Sequence, residues 1–373
     1  MGNPKHQHFI PRSYLKYFAE RKEDQYWIDS LMRGEDEKII QLTTTNVCVQ
    51  KNLYTFPLNT PGDRFAIEKF YAIEVDAQYS AVYEMLTNAN ITVIGNEDKR
   101  KILNTILSLF FRTPRFLNYR NEKLDSALNR MASEILNPEQ EITIGLRNGK
   151  QKIFKRKELE LLRQELKVKN KENFLIDHFS NWQDFVNYKM QCGMEVITVD
   201  NEVPIVTSDN PVQIMDMNGQ INLEDIFHHD NIIEIPINRN TYMIIFPNSV
   251  AENEQRRIIR SKRDKYFVAG INKTTEKYSD LRLIGYPGDL EIHFESQKVL
   301  GEWNTQNISA FHELIKKTNS TVDLMNVIKK NGTAICQDVA NRVKEIRETG
   351  SMNDDEMFNK LILVLAQNGY LTV

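Results

Sequence analysis

Three side chains of the sequence are candidates for moving protons or holding a metal ion, namely His8, Glu74 and Asp209. A neutral imidazole and two carboxylates can act as general base and general acid, and the same groups can bind a divalent cation. Each also has a structural alternative, since the histidine can cap a helix, the glutamate can join a buried salt bridge and the aspartate can close a turn. The residue types leave open a catalytic site, a divalent-metal site of unassigned identity, and purely structural roles.

Two arginines, Arg112 and Arg115, could supply positive charge beside these groups. They follow Thr105 and Ser108 at helical spacing, which predicts one polar stripe along an otherwise apolar helix. Guanidinium groups placed in this way bind carboxylates or phosphates through paired hydrogen bonds. The alternative is an internal salt bridge to Glu68 or Glu74, which would hold two helices together.

The N-terminal stretch Lys5–Phe18 must position His8. Pro11 suits the first turn of a helix, because its missing N–H would have no partner there and its φ is already helical. We therefore predict a helix at Pro11–Ala19. The chain before a proline is biased toward extended geometry, so His6 and His8, which are two residues apart, should point the same way.

Helical periodicity predicts the elements that carry Glu74 and the two arginines. One helix is predicted at Asp63–Leu86, and Glu74 lies in its apolar stripe. Burying an unpaired carboxylate costs several kcal/mol, so we expect Glu74 to be paired, hydrogen-bonded or protonated. The next helix is predicted at Asp98–Tyr119, with a kink at Pro114 between the two arginines.

Short alternating runs separated by turn residues predict antiparallel β-structure. One alternating run, from Ile142 to Leu146, ends at Asn148-Gly149, a dipeptide typical of hairpin turns, and the charged run Lys150–Glu172 that follows is interpreted as a solvated helix. Another run ends at Ser208, Asp209, Asn210 and Pro211, which would present a hydroxyl, a carboxylate and an amide at a sheet edge. The strand-like runs that we predict to form one sheet surround Tyr26, Ile39, Val196, Ile205, Ile233 and Ile244.

The predicted fold class is α+β, with a mostly antiparallel sheet covered by helices and an all-helical C-terminal tail. A basic helix is predicted at Asn253–Ser279, and from about Glu295 only helical periodicity is found. We therefore predict a core domain at residues 1–295 and a helical extension at residues 296–373. The extension could contact a protein partner.

Composition indicates an ordinary globular protein of 373 residues, 41% hydrophobic and 27% charged. The net charge of −3 excludes a surface that is basic as a whole, so a small anion or a nucleic acid would have to bind in a local pocket. Cys48, Cys192 and Cys336 lie far apart and form no metal-binding spacing, which favours a reducing compartment. No apolar run is long enough to cross a bilayer, so we expect a cytoplasmic protein without membrane contact.

Five motifs resemble a known family when they are taken in chain order. They are Lys5–Phe18 (KHQHFIPRSYLKYF), Asn52–Phe56 (NLYTF), the acidic helix with Glu68 and Glu74, Phe111–Phe116 (FRTPRF) and Thr207–Val212 (TSDNPV). Together they resemble the bacterial domain-of-unknown-function family 4238. Its members open with a His-aromatic-aliphatic-Pro motif followed by Tyr-Leu, and later carry a Thr-Pro-Arg helix and a Ser-Asp-Asn-Pro turn.

The resemblance covers about residues 5–290 and implies that the motif positions form one site, without assigning an activity to it. The positions that it carries over are His8, Pro11, Tyr14, Arg112, Pro114, Arg115, Ser208, Asp209, Asn210 and Pro211, together with Asn272 and Glu74. The helical tail departs from the family pattern.

Two functions fit these residues. The first is a hydrolase acting on a phosphate ester, such as a nuclease, with a divalent ion or an acid–base pair at its centre and arginines that neutralise phosphate charge. The second is a non-catalytic module that binds a small anionic ligand or a partner. The predicted catalytic residues are His8, Glu74 and Asp209, and the predicted ligand-binding residues are Arg112, Arg115, Ser208, Asn210 and Asn272.

Overall fold

A computed structural model describes residues 6–34, 38–56, 63–135, 137–145, 151–200, 202–215, 228, 231–263 and 265–298. The chain divides into two compact units, the first comprising Met1–Arg263 with Thr274–Leu290 and the second Asp264–Lys273 with Glu291–Val373. The predicted extension at residues 296–373 lies almost wholly outside the described residues. That extension and its boundary at residue 295 therefore stay predictions.

The elements of the described residues follow one another as short strands and helices of unequal length. The strands are β1 (His6–His8), β2 (Glu20–Lys22), β3 (Gln25–Met32), β4 (Ile39–Thr43), β5 (Val49–Lys51), β6 (Glu141–Gly145), β7 (Gln151–Lys155), β8 (Cys192–Val199), β9 (Thr207–Ser208), β10 (Gln213–Met215), β11 (Ile232–Asn238), β12 (Thr241–Ser249), β13 (Ile258–Arg263) and β14 (Arg282–Gly285). The helices are α1 (Arg12–Leu15), α2 (Ala66–Phe70), α3 (Tyr79–Thr87), α4 (Asn96–Phe111), α5 (Arg115–Glu134), α6 (Leu159–Lys189), α7 (Glu252–Gln255) and α8 (Lys265–Tyr278). Residues 289–298 are also helical.

The strands of the described residues form two five-stranded sheets and two pairs. One sheet has the order β10-β11-β12-β8-β13, and the other has the order β2-β3-β14-β9 with β4 paired to β3. Within this described part, the pairings are antiparallel except that of β13 with β8. The α+β class is therefore confirmed. The predicted runs, however, divide between two sheets, with Tyr26 and Ile39 in one and Val196 in the other, and Ile205 lies outside the strands.

The hydrophobic core of the first unit lies between the β8 sheet and the helices that cover it. Val196 of β8, Phe110 of α4 and Phe185 of α6 are fully buried members of one cluster. Burying a side chain of this size stabilises the fold by roughly 1.5–3 kcal/mol. This packing fixes the C-terminal end of α4. The two arginines that we predict for the site come just after that end in the chain.

The predicted helix Asp63–Leu86 has a different buried face from the one expected. After α2 the chain makes a π-helical segment, Tyr71–Val75, and a 3-10 turn, Asp76–Gln78, before α3. A π turn is wider than an α turn, so the buried positions recur at every fourth residue through Tyr71 and Val75. Glu74 is exposed as a result, and its predicted burial is wrong.

The predicted helix Asn253–Ser279 is also corrected, because a strand interrupts it. In the described part of this range, the short helix α7 and the later α8 are helical, and β13 between them pairs with β8 in parallel. Ile258 of β13 is buried opposite Met194 of β8. The adjacent β-branched residues Ile258 and Ile259 favour a strand at this point more than a helix.

Candidate functional site

A cleft of about 640 Å³ lies in the first unit, where several motif residues meet. Phe9 of the N-terminal motif, Arg115 at the start of α5 and Asp209 after β9 all line it. The other lining residues are Arg33, Val49, Gln50, Pro114, Asn118, Tyr119, Glu122, Ser279, Asp280 and Leu281. The volume lies in the range of small-molecule sites, and the walls combine aromatic, cationic and acidic side chains.

The break between α4 and α5 determines which arginine reaches the cleft. Helix α4 ends at Phe111, and Pro114 takes the N-cap position of α5, where its carbonyl accepts the N–H of Asn118 at 2.8 Å. Proline has no N–H to continue the preceding helix, so the chain starts a new one there. The predicted single helix with a kink is wrong, and Arg112 and Arg115 belong to different environments.

Arg115 lies on the wall of the cleft with part of its hydrogen-bonding capacity unused. Its Nε is 3.7 Å from Oδ1 of Asp280, an ion-pair distance that is too long for a hydrogen bond. Its Nη1 is buried and has no hydrogen-bond partner among the described residues. A buried guanidinium N–H without an acceptor is costly, so an acceptor that entered the cleft here would be stabilised.

Asp209 is the most deeply buried acidic side chain of the cleft, with 3% of its surface exposed. Its two carboxylate oxygens accept the backbone N–H groups of Asp280 at 3.0 Å and Leu281 at 2.7 Å. Burial raises the pKa of Asp209 to about 6, and the charge of Asp280 adds to this, although the backbone hydrogen bonds oppose it. The group can therefore accept or donate a proton near neutral pH.

Ser208 and Asn210, beside Asp209, shape the turn. The Ser208 hydroxyl accepts the N–H of Asn210 at 3.1 Å, and the Asn210 amide donates to the carbonyl of Tyr278 at 3.2 Å. Both side chains are fully buried. The serine, rather than the aspartate, makes the local turn bond, which leaves the Asp209 carboxylate to reach the segment before β14.

Arg112 is buried in the core, not in the cleft. Its Nη1 donates to Asp76 Oδ1 at 2.6 Å, its Nη2 donates to the carbonyl of His8 at 3.1 Å, and its guanidinium lies 4.2 Å from the ring centre of Tyr71. Burial alone would lower the pKa of Arg112, but Asp76 and the Tyr54 hydroxyl raise it above its usual value. The predicted pairing with Glu74 is wrong, since the π-helical segment presents Asp76 to the arginine.

Tyr14 and Tyr54 connect the motifs to one another. The Tyr14 hydroxyl lies 2.6 Å from Oγ1 of Thr207 and donates to the carbonyl of Pro236 at 2.9 Å, while the Tyr54 hydroxyl donates to the Arg112 carbonyl. These bonds are buried and bring distant segments of the chain together. Several motif residues thus stabilise the walls of the cleft without lining it.

His8 lies beside the buried Arg112 and does not line the cleft. Its Nε2 is 3.3 Å from the carbonyl of Thr44, and burial lowers its pKa, helped by the charges of Arg12 and Arg112. The ring is therefore neutral at pH 7 and donates to that carbonyl. Among the described residues no group of three or more His, Cys, Asp or Glu could hold a metal ion, so His8 does not form one with Glu74 and Asp209.

Asn272, the remaining predicted ligand-binding residue, is buried in α8 and belongs to the second unit. The described residues that line the cleft belong to the first unit. The role of Asn272 stays a prediction.

With this geometry defined, comparison with known proteins gives one result. The model of the DUF4238 family, described as "Protein of unknown function", matches residues 6–289. The chain belongs to the DUF4238 family. Searches of curated proteins and of solved structures gave no match. In the part of this DUF4238 chain that the structure describes, no helix has the length and apolar composition needed to cross a membrane.

Sequence reasoning missed three charged residues of the DUF4238 cleft, namely Arg33, Glu122 and Asp280. Arg33 and Asp280 come together because β14 pairs with β3, a contact between distant segments that no local pattern indicates. The one local signal was the Ser279-Asp280 pair just ahead of an apolar run. It was hidden by the assumption that residues 253–279 form one helix.

The contribution of Asp209 to the stability of this DUF4238 protein should fall as pH rises from 4 to 7. The folded-state pKa of about 6 is higher than the value near 4 expected for the unfolded chain, so the folded state binds more protons between these values. The residue should therefore reduce the free energy of unfolding by roughly 2–3 kcal/mol across this interval. Urea unfolding of the wild type and Asp209→Asn at several pH values measures the difference.

Asp184→Asn, at an exposed position of α6, is the matched control. Between pH 4 and pH 7, the difference in free energy of unfolding between the wild type and Asp209→Asn should change by roughly 2–3 kcal/mol. The corresponding difference for Asp184→Asn should not change by such an amount. If the difference in free energy of unfolding between the wild type and Asp209→Asn did not depend on pH, the pKa of Asp209 would be the same in the folded and unfolded chains. That result would contradict the raised pKa.

Proposed function

We propose that the cleft binds a small ligand that carries an anionic group, a carboxylate or a phosphate, and that Arg115 is its main contact. The observation that carries this proposal is the buried Nη1 of Arg115, which has no hydrogen-bond partner in the described part of the chain. Arginine recognises such oxyanions through paired, charge-assisted hydrogen bonds. The side chain lies at the first residue of the 20-residue helix α5, where the helix dipole also favours negative charge.

Replacing Arg115 by alanine should remove the response to anions. Inorganic phosphate, ethyl phosphate and propionate are titrated in low salt, and melting temperature and heat of binding are recorded. An anion at ten times its dissociation constant stabilises the native state by about 1.4 kcal/mol, which corresponds to a rise of roughly 2 °C. The Arg115→Ala protein should show neither the rise nor the heat.

Arg130→Ala is the matched control for this test. Arg130 lies on the same helix, its side chain is 81% exposed, and it pairs only with Glu134 in the described residues. It should keep the full response. An equal response of both variants, or none in the wild type at millimolar anion, contradicts the proposal.

Hydrolysis of a phosphate ester is a second candidate function, favoured by the position of Asp209 in the cleft. A carboxyl whose pKa is about 6 can act as general base or acid near neutral pH. The test is turnover of p-nitrophenyl phosphate and its bis-ester with and without Mg²⁺ or Mn²⁺. Hydrolysis would be supported if the turnover rate changed with an inflection near pH 6 and Asp209→Asn abolished turnover. Binding of these esters without turnover would instead support the non-catalytic module.

A cytoplasmic location in a bacterial cell and a protein partner for the C-terminal helices are further parts of the proposal. Cys48 and Cys192 are buried thiols outside any disulfide, which is usual in a reducing compartment. The predicted helical extension that would contact the partner, residues 296–373, lies almost wholly outside the described residues.

A further inference from the structure

The cleft carries charges of both signs, and the acidic side chains are in the majority. Its two cations are Arg33 and Arg115, and its three carboxylates are Asp209, Asp280 and Glu122. The acidic groups outnumber the cations by one, so a purely anionic ligand would add negative charge to a site whose formal charge is already negative. An oxyanion bound at Arg115 would also lie within a few ångström of Asp280.

We propose that the ligand of this cleft is a short zwitterion, which places its anionic group on Arg115 and a protonated amine on Asp280. This inference rests on the proposed anion site and adds the second charged group. Like charges that are held close together in a partly buried site repel strongly, and a bound ammonium group removes that repulsion. The same ammonium supplies N–H donors to the carboxylate.

The position of Asp280 is fixed before any ligand arrives. Nη1 of Arg33 donates to the carbonyls of Lys277 at 3.1 Å and Ser279 at 2.6 Å, on one side of Asp280. On the other side, Asp209 accepts the N–H groups of Asp280 and Leu281. Nη1 of Arg33 is therefore used in holding this segment, whereas Nη1 of Arg115 is buried without a hydrogen-bond partner among the described residues, which makes Arg115 the better contact for an oxyanion.

A cation that bound beside Asp280 would stabilise its carboxylate. Its side chain is 32% exposed, and its contact with Arg115 at 3.7 Å is beyond hydrogen-bond distance. Burial raises the pKa of Asp280, and Glu122 adds to this, although Arg115 and Arg33 oppose it. A carboxylate held in this way gains more from an approaching ammonium than one fully in water does.

The distance between Arg115 and Asp280 limits the length of the ligand. Nε of Arg115 and Oδ1 of Asp280 are only 3.7 Å apart. The anionic group and the amine of a ligand that contacts both side chains must therefore also be close, separated by about two or three bonded atoms. Phosphoethanolamine and β-alanine have this spacing. The apolar wall from Phe9 and Tyr119 can cover the atoms between the two charges.

Two matched pairs of probes test the proposal, ethyl phosphate against phosphoethanolamine and propionate against β-alanine. Each pair shares the anionic group and differs by the amine, and binding is measured by calorimetry at pH 7.5 in low salt. The amine-bearing member should bind at least tenfold more tightly to the wild-type protein. Asp280→Asn should bring the two members of a pair within about threefold, and Arg115→Ala should remove binding of both.

The wild-type comparison alone decides the question should Asp280→Asn fail to fold. Equal affinity within each pair overturns the zwitterion proposal and leaves the anion site intact. Tighter binding of ethyl phosphate and propionate overturns it as well. Absence of binding by all four probes removes the anion site, and the zwitterion proposal falls with it.

Discussion

Replacing Arg112 by methionine is expected to lower the free energy of unfolding by about 3 kcal/mol. The substitution keeps most of the side-chain volume but leaves Asp76 and the carbonyl of His8 without their donor. It also removes the contact with the Tyr71 ring. Asp76 is 25% exposed and can regain some hydration, which places the loss at the lower end of the range for broken buried ion pairs.

Arg120→Met provides the comparison for Arg112. Arg120 pairs with Asp177 at 3.3 Å, but both side chains are nearly one-third exposed, so its loss should cost less than about 1 kcal/mol. Urea unfolding at pH 7 measures both. If Arg112→Met were as stable as the wild type yet no longer responded to anions, Arg112 would be a ligand contact, as its position in the predicted polar stripe suggested.

Replacing Lys99 by methionine should cost roughly 3–5 kcal/mol, the largest effect that we expect of a single substitution. The Nζ of Lys99 is fully buried and donates to the carbonyls of Met190 at 2.8 Å, Cys192 at 2.6 Å and Gln255 at 2.6 Å. Burial lowers the pKa of Lys99 to about 8, so at pH 7 the amine still carries the three protons that these bonds use. Methionine would leave three carbonyls unsatisfied.

The control for Lys99 is its neighbour in α4, Arg100. That side chain is exposed and donates to Asn187 at 2.8 Å, so Arg100→Met should change the free energy of unfolding by less than about 1 kcal/mol. Chemical unfolding of both variants, with circular dichroism to confirm folding, is the measurement. Equal small losses would mean that water replaces the lysine amine at these carbonyls.

The parts of the fold that could be predicted from sequence are those set by local chemistry. Pro11 correctly predicted the extended chain at His6 and His8 and the helical turn after them. Asn148-Gly149, which lies outside the described residues, indicated a hairpin turn, and β6 and β7 on either side of it do pair. Each of these depends on backbone preferences within a few residues. The predicted helix at Lys150–Glu172 is wrong in its first part, however, because Gln151–Lys155 is a strand.

The prediction for Glu74 failed because it depended on helical register. A single π-helical segment moves Glu74 to the surface and brings Asp76 to Arg112. The types of the residues do not reveal such a change, since the stripe through Glu74 fitted an ideal α-helix equally well. The two arginines were expected to share one groove. Because one helix ends before Pro114 and a new one begins after it, only Arg115 of the two lies in the cleft.

The pairing of β14 with β3 has a consequence for the order in which the chain can fold during synthesis. Asp29 of β3 lies opposite Gly285 of β14, about 250 residues later, and β14 is also the strand that joins β3 to β9. At 5–20 residues per second a ribosome needs roughly 12–50 s to add that length of chain. Throughout that interval the edge of β3 that will receive β14 lacks its partner, which is the kind of edge that invites pairing with other chains. In a nascent chain of this protein, that edge of β3 is therefore a site of aggregation risk until residue 285 has left the ribosome, four residues before the family match ends at residue 289.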